Sequence, residues 1–260
     1  MKIIDIHSHV YPEHIAMKAA DNVRGFYQIP GGMNGTAEML FERGREAGVS
    51  QYVVLPVAVK PDRVRSINDF ILSQLKKHDC LVGFGTIHAD MNYMEAEVER
   101  VLAAGLKGIK LHPDCQRFDI DDPRLFALYD MAEGRFPVVL HMGDKRYDHS
   151  HPARLRRILK EFPRLQTLAA HFGGYSMYET ACENLRDTSC IMDISSSLAF
   201  MAPGEAERYI NLYGAERMAF GTDYPVWDPV LEVKRFLDLD LTWQQKEQIA
   251  HKTAESFLNL

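Results

Sequence analysis

The chain has 260 residues, which is long enough to bury a large core and typical of a single α/β barrel. Hydrophobic residues make up 46% and charged residues 25% of it, as in ordinary globular domains, and no apolar run of about 20 residues could span a membrane. The formal net charge of −6 argues against a nucleic-acid partner, because a phosphate backbone attracts basic surfaces.

The N-terminus and the cysteines bear on the cellular compartment. The chain enters a strand-like segment directly, without the basic and apolar regions of a signal peptide. Its four cysteines have no paired zinc spacing and are too few for a disulfide scaffold in a chain of this length. We therefore expect a cytoplasmic protein.

The first strand is predicted from a β-branched run at residues 3–6, and it ends at His7 and His9. Side chains alternate along a strand, so these two imidazoles share one face. The following stretch, 11–35, contains two prolines and four glycines and predicts a long irregular loop of the kind that forms lids or partly helical excursions. Thr36 then has the character of an N-cap for a helix that stops near residue 48.

From residue 51 onward, short apolar segments rich in β-branched residues alternate with amphipathic segments. The short segments predict strands at 51–57, 81–87, 106–113, 136–142, 165–171, 190–195 and 217–223. The amphipathic segments predict helices at 64–77, 93–104, 123–133, 152–162, 175–185 and 204–213, followed by two more near 230–237 and 242–258.

Eight strands, nearly all followed by a helix, predict a parallel sheet, because parallel neighbours need a crossover connection. Eight such units in one domain favour a closed (β/α)₈ TIM-type barrel over residues 1–260, with a long loop excursion after strand 1 and helices at the C-terminus. A doubly wound open sheet is the alternative, but no Gly-x-Gly-x-x-Gly turn follows the first strand.

Polar residues stand at the C-terminal ends of five predicted strands, where the active-site groups of such barrels lie. Some of them have a simple structural explanation: His112 before a proline could be a turn residue, His171 a hydrogen-bonded core histidine, and Asp223 the start of a turn. It is improbable that all of them occur at the same end of the barrel by chance. The residues concerned are His7, His9, Lys110, His112, His141, His171 and Asp223.

These residues carry a resemblance to a known family. His7-Ser-His9, His141, His171 in Ala-His-Phe-Gly-Gly and Asp223 in Gly-Thr-Asp-Tyr-Pro resemble, in strand order across nearly the whole chain, the amidohydrolase superfamily of metal-dependent barrels. They are similar in particular to its amidohydrolase-related branch, which includes aminocarboxymuconate-semialdehyde decarboxylase-like enzymes. The resemblance implies a divalent ion, usually zinc, held by His7, His9, His141 and Asp223. It also implies that His171 lies beside the bound water or substrate as an acid/base or electrophile.

The chemistry of these side chains is consistent with that assignment. Imidazole and carboxylate suit zinc, but they also suit manganese, iron or cobalt. A metal-bound water has a pKa near about 7, so hydroxide is available at neutral pH. Asp223 could take the proton of that water and later deliver it to a leaving group, which makes Asp223 and His171 the predicted catalytic residues.

Lys110 has two interpretations. In dinuclear members of the superfamily a lysine of the fourth strand is carbamylated and bridges two metals, and Lys110 shares a strand face with His112. The branch that the chain resembles is usually mononuclear. We therefore favour one ion, with Lys110 as a charged pocket residue that meets an anionic substrate and with His112 near it.

The loop 143–152 follows the strand that ends at His141, so it should line the mouth of the site. Arg146 and Tyr147 in this loop could bind a carboxylate or a phosphate of the substrate. A solvated loop that leads into the next helix is an equally simple explanation.

The leading functional hypothesis is a metal-dependent hydrolase that cleaves an amide, ester or lactone bond in a small molecule. The alternative is a metal-dependent decarboxylase acting on an unsaturated or aromatic carboxylic acid. Metal-dependent nucleases that also begin with His-x-His carry a glutamate where this chain has Lys110, and a catalytically silent barrel would not need so full a ligand set. We expect no nucleic-acid or membrane partner, and the resemblance suggests a homodimer.

Overall fold

Parallel strands alternate with helices along the whole chain in the computed structural model, which describes residues 1–260. The strands are β1 (Ile4–Ser8), β2 (Gln51–Val54), β3 (Leu81–Gly83), β4 (Gly85–Thr86), β5 (Ile109–Leu111), β6 (Val138–Leu140), β7 (Thr167–Ala169), β8 (Ile191–Asp193) and β9 (Met218–Ala219). The helices are α1 (Glu13–Tyr27), α2 (Ala37–Glu46), α3 (Val64–Leu75), α4 (Met94–Ala103), α5 (Pro113–Gln116), α6 (Phe126–Ala132), α7 (Pro152–Glu161), α8 (Tyr178–Leu185), α9 (Glu205–Tyr213), α10 (Pro229–Leu237), α11 (Trp243–Glu247) and α12 (Thr253–Leu258).

The nine strand segments occupy eight positions in one ring. The segments pair in parallel in the orders β1-β2-β3 and β4-β5-β6-β7-β8-β9. Only Phe84 separates β3 from β4, and its backbone N–H donates to the carbonyl of Val54 on β2, while the next N–H, that of Gly85, donates to Gly108 beside β5. The two segments are therefore one kinked strand that connects both groups.

The ring closes between the last strand and the first. The N–H of Ile6 donates to the carbonyl of Phe220 at 2.9 Å, and the N–H of Asp223 donates to the carbonyl of His7 at 2.7 Å. These bonds extend β9 along β1, so no open edge remains between them. The predicted (β/α)₈ barrel is confirmed.

Buried apolar side chains form two separate clusters, as the alternation of side chains along each strand requires. The larger cluster has 52 residues and includes Tyr52 and Val54, which lie under the surrounding helices. The smaller cluster has 12 residues and includes Val53 and Leu55 from the same strand, which fill the barrel interior. Leu258 of α12 belongs to the smaller cluster, so the C-terminal helix covers the end of the barrel opposite the strand-end histidines.

Two segments differ from the sequence-based prediction. The stretch after β1 is not irregular, because residues 13–27 form α1, whose buried side includes Ala16 and Ala20. Alanine carries little hydrophobic signal, so this stripe is weak in the sequence. The predicted helix over 242–258 is divided into α11, a π-helical turn and α12. In that turn the carbonyl of Ile249 accepts from the N–H of Phe220.

None of the helices combines the length and the apolar character needed to cross a bilayer.

Candidate metal centre

The predicted strand-end residues lie together at one end of the barrel. All of them except Lys110 face a cavity of about 250 Å³, whose roof is formed by residues of α1. The cavity is lined by polar residues at its floor, namely His7, His9, His112, His141, His171 and Asp223, and by Tyr11, Ala19, Asn22, Val23, Tyr27, Val57, Val59 and Cys115 elsewhere.

His7, His9 and Asp223 direct acceptor atoms at one another. The Nε2 atoms of His7 and His9 lie 3.6 Å and 3.2 Å from the same carboxylate oxygen, Oδ1 of Asp223. Each ring uses its other nitrogen on the protein: Nδ1 of His7 bonds to Asp193, and Nδ1 of His9 bonds to the carbonyl of Leu55. Because a carbonyl and a carboxylate can only accept, each ring in its neutral form carries the proton on Nδ1 and a lone pair on Nε2.

Asp193 holds the His7 ring from below. Its Oδ2 lies 2.7 Å from Nδ1 of His7, and its Oδ1 accepts from the backbone N–H groups of His171 and Ser195 and from the Ser195 hydroxyl. Burial would raise the pKa of the Asp193 carboxyl, but the neighbouring histidines and these hydrogen bonds lower it well below its usual range. Burial lowers the pKa of His7 to about 4, so the ring is neutral at pH 7.

The second oxygen of Asp223 is also fixed. Its Oδ2 accepts from the hydroxyl of Ser196, which in turn accepts from Nε1 of Trp227 at 2.8 Å. Asp223 has a positive φ of 57°, a strained conformation for a residue with a side chain, and such strain is common at functional sites. Gly221 allows the close approach of this strand to β1, because a Cβ there would lie 2.8 Å from the Cβ of His7.

His171 and His141 are hydrogen-bonded to each other. Nδ1 of His171 lies 3.0 Å from the carbonyl of Ser195, so it carries the proton of the neutral ring, and Nε2 then accepts from Nδ1 of His141 at 3.0 Å. Burial lowers the pKa of both rings, and neighbouring cationic groups contribute to this shift. His141 is left with a lone pair on Nε2, which faces the hydroxyl of Tyr27 at 3.2 Å.

His112 lies over His141. The two rings stack with centroids 3.9 Å apart and an angle of 8° between their planes. Together with Asp114 they form a second cluster of side chains that could act as metal ligands. Imidazole lone pairs lie in the ring plane, however, and two stacked parallel rings cannot both direct them at one ion. This pair is therefore poorly arranged to hold an ion between its rings.

Lys110 is completely buried beneath the histidines. Its Nζ lies 3.4 Å from Nε2 of His7, and burial lowers the pKa of the ammonium group to about 8. The positive charge lies below the floor of the cavity, since Lys110 is not among the residues that line it.

Arg146 and Tyr147 lie against the C-terminal end of α1, the lid helix that covers the cavity, and not on the floor of the site. The Arg146 guanidinium forms a bidentate ion pair with the buried Asp144, donates to the carbonyl of Phe26 and packs against the rings of Phe26, Tyr27 and Tyr147. Tyr147 stacks on Phe26 with ring centroids 5.7 Å apart. These contacts hold the C-terminal end of α1 over the barrel.

Sequence reasoning did not single out Tyr27, because its position depends on the path of α1. The Ser196 hydroxyl also supports the site from behind, through its hydrogen bond to Asp223. Asp193 contacts His7 directly. No local sequence signal distinguishes these contacts from those of ordinary loop residues.

The donor set fits a divalent cation. His7, His9 and Asp223 bring three acceptor atoms within 4.8 Å of one another, and two lone pairs face a carboxylate oxygen at short distance. A cation bound among these atoms would be attracted by all three of them. Metal-binding histidines also commonly give their other ring N–H to a carboxylate or a backbone carbonyl, as both rings do here.

The sequence profile of the amidohydrolase family matches residues 4–260. This chain belongs to the amidohydrolase family. No curated protein shows significant sequence similarity to it. The amidohydrolase superfamily recognised from His7, His9, His141, His171 and Asp223 is thereby confirmed.

Solved structures similar to this amidohydrolase-family chain share its fold. An uncharacterised TIM-barrel protein from Bordetella bronchiseptica is 22% identical, with a TM-score of 0.83 over 100% of this chain and 99% of that one. A dihydroxybenzoic acid decarboxylase from a Polaromonas species, with bound manganese and the inhibitor 2-nitroresorcinol, is 16% identical, with a TM-score of 0.77 over 100% and 97% of the two chains. A 5-carboxyvanillate decarboxylase from Sphingomonas paucimobilis is 14% identical, with a TM-score of 0.74 over 100% and 99%.

Proposed function

We propose that this amidohydrolase-family enzyme is a metal-dependent decarboxylase of a small aromatic or unsaturated carboxylic acid. The observation that carries the proposal is the convergence of His7 Nε2, His9 Nε2 and Asp223 Oδ1 on the floor of a small cavity with apolar walls. At about 250 Å³ the cavity is smaller than pockets for drug-sized ligands, and Val23 and Val57 offer surface to a planar apolar group. Two of the structural neighbours act on aromatic acids.

His7, His9, His141 and Asp223 would hold one divalent ion, which would supply the positive charge that binds and polarises the anionic oxygens of the substrate. Zinc and manganese both suit nitrogen and carboxylate ligands, and a neighbour holds manganese. Lys110 would add a positive charge beneath the floor.

Decarboxylation breaks the bond between the substrate carbon and its carboxylate, leaves the electron pair on that carbon and releases carbon dioxide. The carbon then takes one proton. That proton comes from solvent water. Asp223, an ionised carboxylate at the floor of the cavity with its Oδ2 held by Ser196, is the proposed group that takes the proton up and delivers it to the carbon. His171, whose ring is fixed by Ser195 and His141, would lie beside the substrate as an acid/base.

Hydrolysis of an amide, ester or lactone is the second candidate. The observation that favours it is that Asp223 and His171 both line the cavity beside the acceptor cluster, where a general base for a water molecule is needed. A homodimer and a cytoplasmic location remain predictions. All four cysteines are free thiols, which agrees with a reducing compartment.

Product analysis in H₂¹⁸O separates these two reactions. The metal-loaded protein is incubated with a set of monocyclic aromatic carboxylic acids and, separately, with aryl esters and lactones. Carbon dioxide release without ¹⁸O in the organic product supports decarboxylation, whereas ¹⁸O in the product supports hydrolysis. Asp223→Asn should abolish either reaction, and turnover retained in this variant would contradict both candidates.

A further inference from the structure

The hydroxyl of Ser196 lies between Asp223 and an indole. Its Oγ bonds to Oδ2 of Asp223 on one side and to Nε1 of Trp227, at 2.8 Å, on the other. Ser196 and Asp223 are both buried, and Ser196 has a positive φ of 49°, an uncommon backbone conformation for a residue with a side chain. Such conformations persist where the surrounding contacts fix them, and they are common at functional sites.

The direction of each hydrogen bond follows from the chemistry of the three groups. An indole N–H can only donate, so Trp227 donates to the oxygen of Ser196. A carboxylate can only accept, so the Ser196 O–H donates to Oδ2 of Asp223. A serine hydroxyl has a single hydrogen, and in this arrangement that hydrogen is committed to Asp223.

Trp227 is itself held in place by its neighbours. The Arg235 guanidinium lies over the indole at 5.1 Å from the ring centroid and forms an ion pair with the buried Glu232, while Phe200 packs edge-on against the indole with ring centroids 5.6 Å apart. Arg235 and Glu232 belong to α10, which begins two residues after Trp227. The indole N–H therefore has a fixed position behind Ser196.

The two carboxylate oxygens of Asp223 face different neighbours. Oδ1 lies 3.2 Å from Nε2 of His9 and 3.6 Å from Nε2 of His7, whereas Oδ2 is engaged by Ser196. A carboxylate can bind a metal ion through one oxygen or through both. If both oxygens of Asp223 bound the ion, the second would take a coordination position that a catalytic metal site keeps open for water or substrate.

We propose that Ser196 and Trp227 are positioning residues that keep Oδ2 of Asp223 hydrogen-bonded to the protein, so that Asp223 binds the ion through Oδ1 alone and a coordination position stays open for the substrate. Neither residue lines the cavity, so both act through Asp223 and not on the substrate itself. This inference rests on the proposed function, because it needs the metal centre, but it holds for both candidate reactions.

The test compares the visible spectra of the wild type and Ser196→Ala at saturating cobalt(II), because the cobalt bands lose intensity as the coordination number rises. Ser196→Ala frees Oδ2 of Asp223, so the bands should weaken, and a crystal structure of the cobalt-loaded variant should show both carboxylate oxygens at the metal. Trp227→Phe removes only the indole N–H and should cause a smaller loss of intensity. Trp243→Phe is the matched control, because Trp243 is the other tryptophan of the chain and is exposed.

The spectrum at saturation separates a positioning role from general damage to the site, which would lower cobalt affinity without changing the coordination number. A wild-type spectrum in Ser196→Ala, loss of cobalt binding in that variant, or Asp223 bound through both oxygens in the wild type would each overturn the proposal. If Ser196→Ala does not fold, a wild-type spectrum in Trp227→Phe overturns it. Failure of the wild type to bind cobalt would instead overturn the metal centre of the proposed function.

Discussion

Nδ1 of His7 lies 2.7 Å from Oδ2 of Asp193, and both side chains are buried in the barrel. This hydrogen bond keeps the proton of the neutral His7 ring on Nδ1 and turns the lone pair of Nε2 toward Asp223. The orientation of the acceptor cluster thus depends on a residue that does not line the cavity.

Asp193→Asn should lower metal affinity by about 10- to 100-fold, the usual effect of removing such a supporting carboxylate. Because Oδ1 of Asp193 accepts three hydrogen bonds, the amide oxygen should take that side and the NH₂ group should face His7. The ring would then have to move its proton to Nε2. Titration calorimetry with zinc or manganese measures the change, and Asp240→Asn, at an exposed position, should bind as wild type. Wild-type affinity in Asp193→Asn would show that the contact does not orient His7.

Metal binding should stabilise the fold, because the unfolded chain does not assemble the ligands. At a metal concentration about 1,000 times Kd, the free energy of unfolding should rise by about 4 kcal/mol, which is roughly 10 °C in Tm for a chain of this size. Differential scanning calorimetry with and without a chelator measures this shift. His9→Ala should lose most of it, and an equal shift in this variant would place the ion elsewhere.

Arg146→Met should loosen the lid helix without unfolding the barrel. The substitution removes the ion pair with Asp144 and the hydrogen bond to the carbonyl of Phe26, but keeps an apolar stem. Hydrogen exchange should accelerate in residues 20–28 by about tenfold or more and stay unchanged in the strands, since local openings are measured separately from global unfolding. Lys145→Met is the control. If residues 20–28 exchanged at the wild-type rate in Arg146→Met, as they should in Lys145→Met, the contacts of Arg146 would not hold α1.

Glu232 should make stability depend on pH. It is buried in α10 against Arg235, and burial raises the pKa of its carboxyl to about 7, above its unfolded value. The folded state then binds a proton more tightly than the unfolded state, so stability falls as pH rises from about 4.5 to about 7.

Relative to Glu232→Gln, which does not titrate, wild type should lose up to about 3 kcal/mol of unfolding free energy between pH 5 and 8. Urea unfolding at several pH values measures the difference. Glu42→Gln, at an exposed position, should show no such trend. Parallel pH profiles for wild type and Glu232→Gln would contradict the raised pKa.

The barrel could be predicted because its strands are short apolar runs and the residues at their ends are polar. His7, His9, His141, His171 and Asp223 were found in this way, since the C-terminal ends of parallel strands meet at one edge.

The roof of the site could not be predicted from the same patterns. Helix α1 is anchored by small alanines, and Tyr27 reaches the histidines only because of the path of that helix. Arg146 illustrates a second limit. A basic residue in a loop near the mouth suggests anion binding, and the sequence alone does not show that it also pairs with Asp144 two residues earlier. Such short-range pairings depend on the conformation of the loop, and the sequence does not determine that conformation.

Anomalous diffraction from crystals of the zinc-loaded protein would show directly which residues hold the ion. We predict one ion, with Nε2 of His7 and of His9 and a carboxylate oxygen of Asp223 at about 2.0–2.2 Å, and His141 as the fourth protein ligand. Two ions bridged by a carbamylated Lys110, or a single ion away from Asp223, would contradict it.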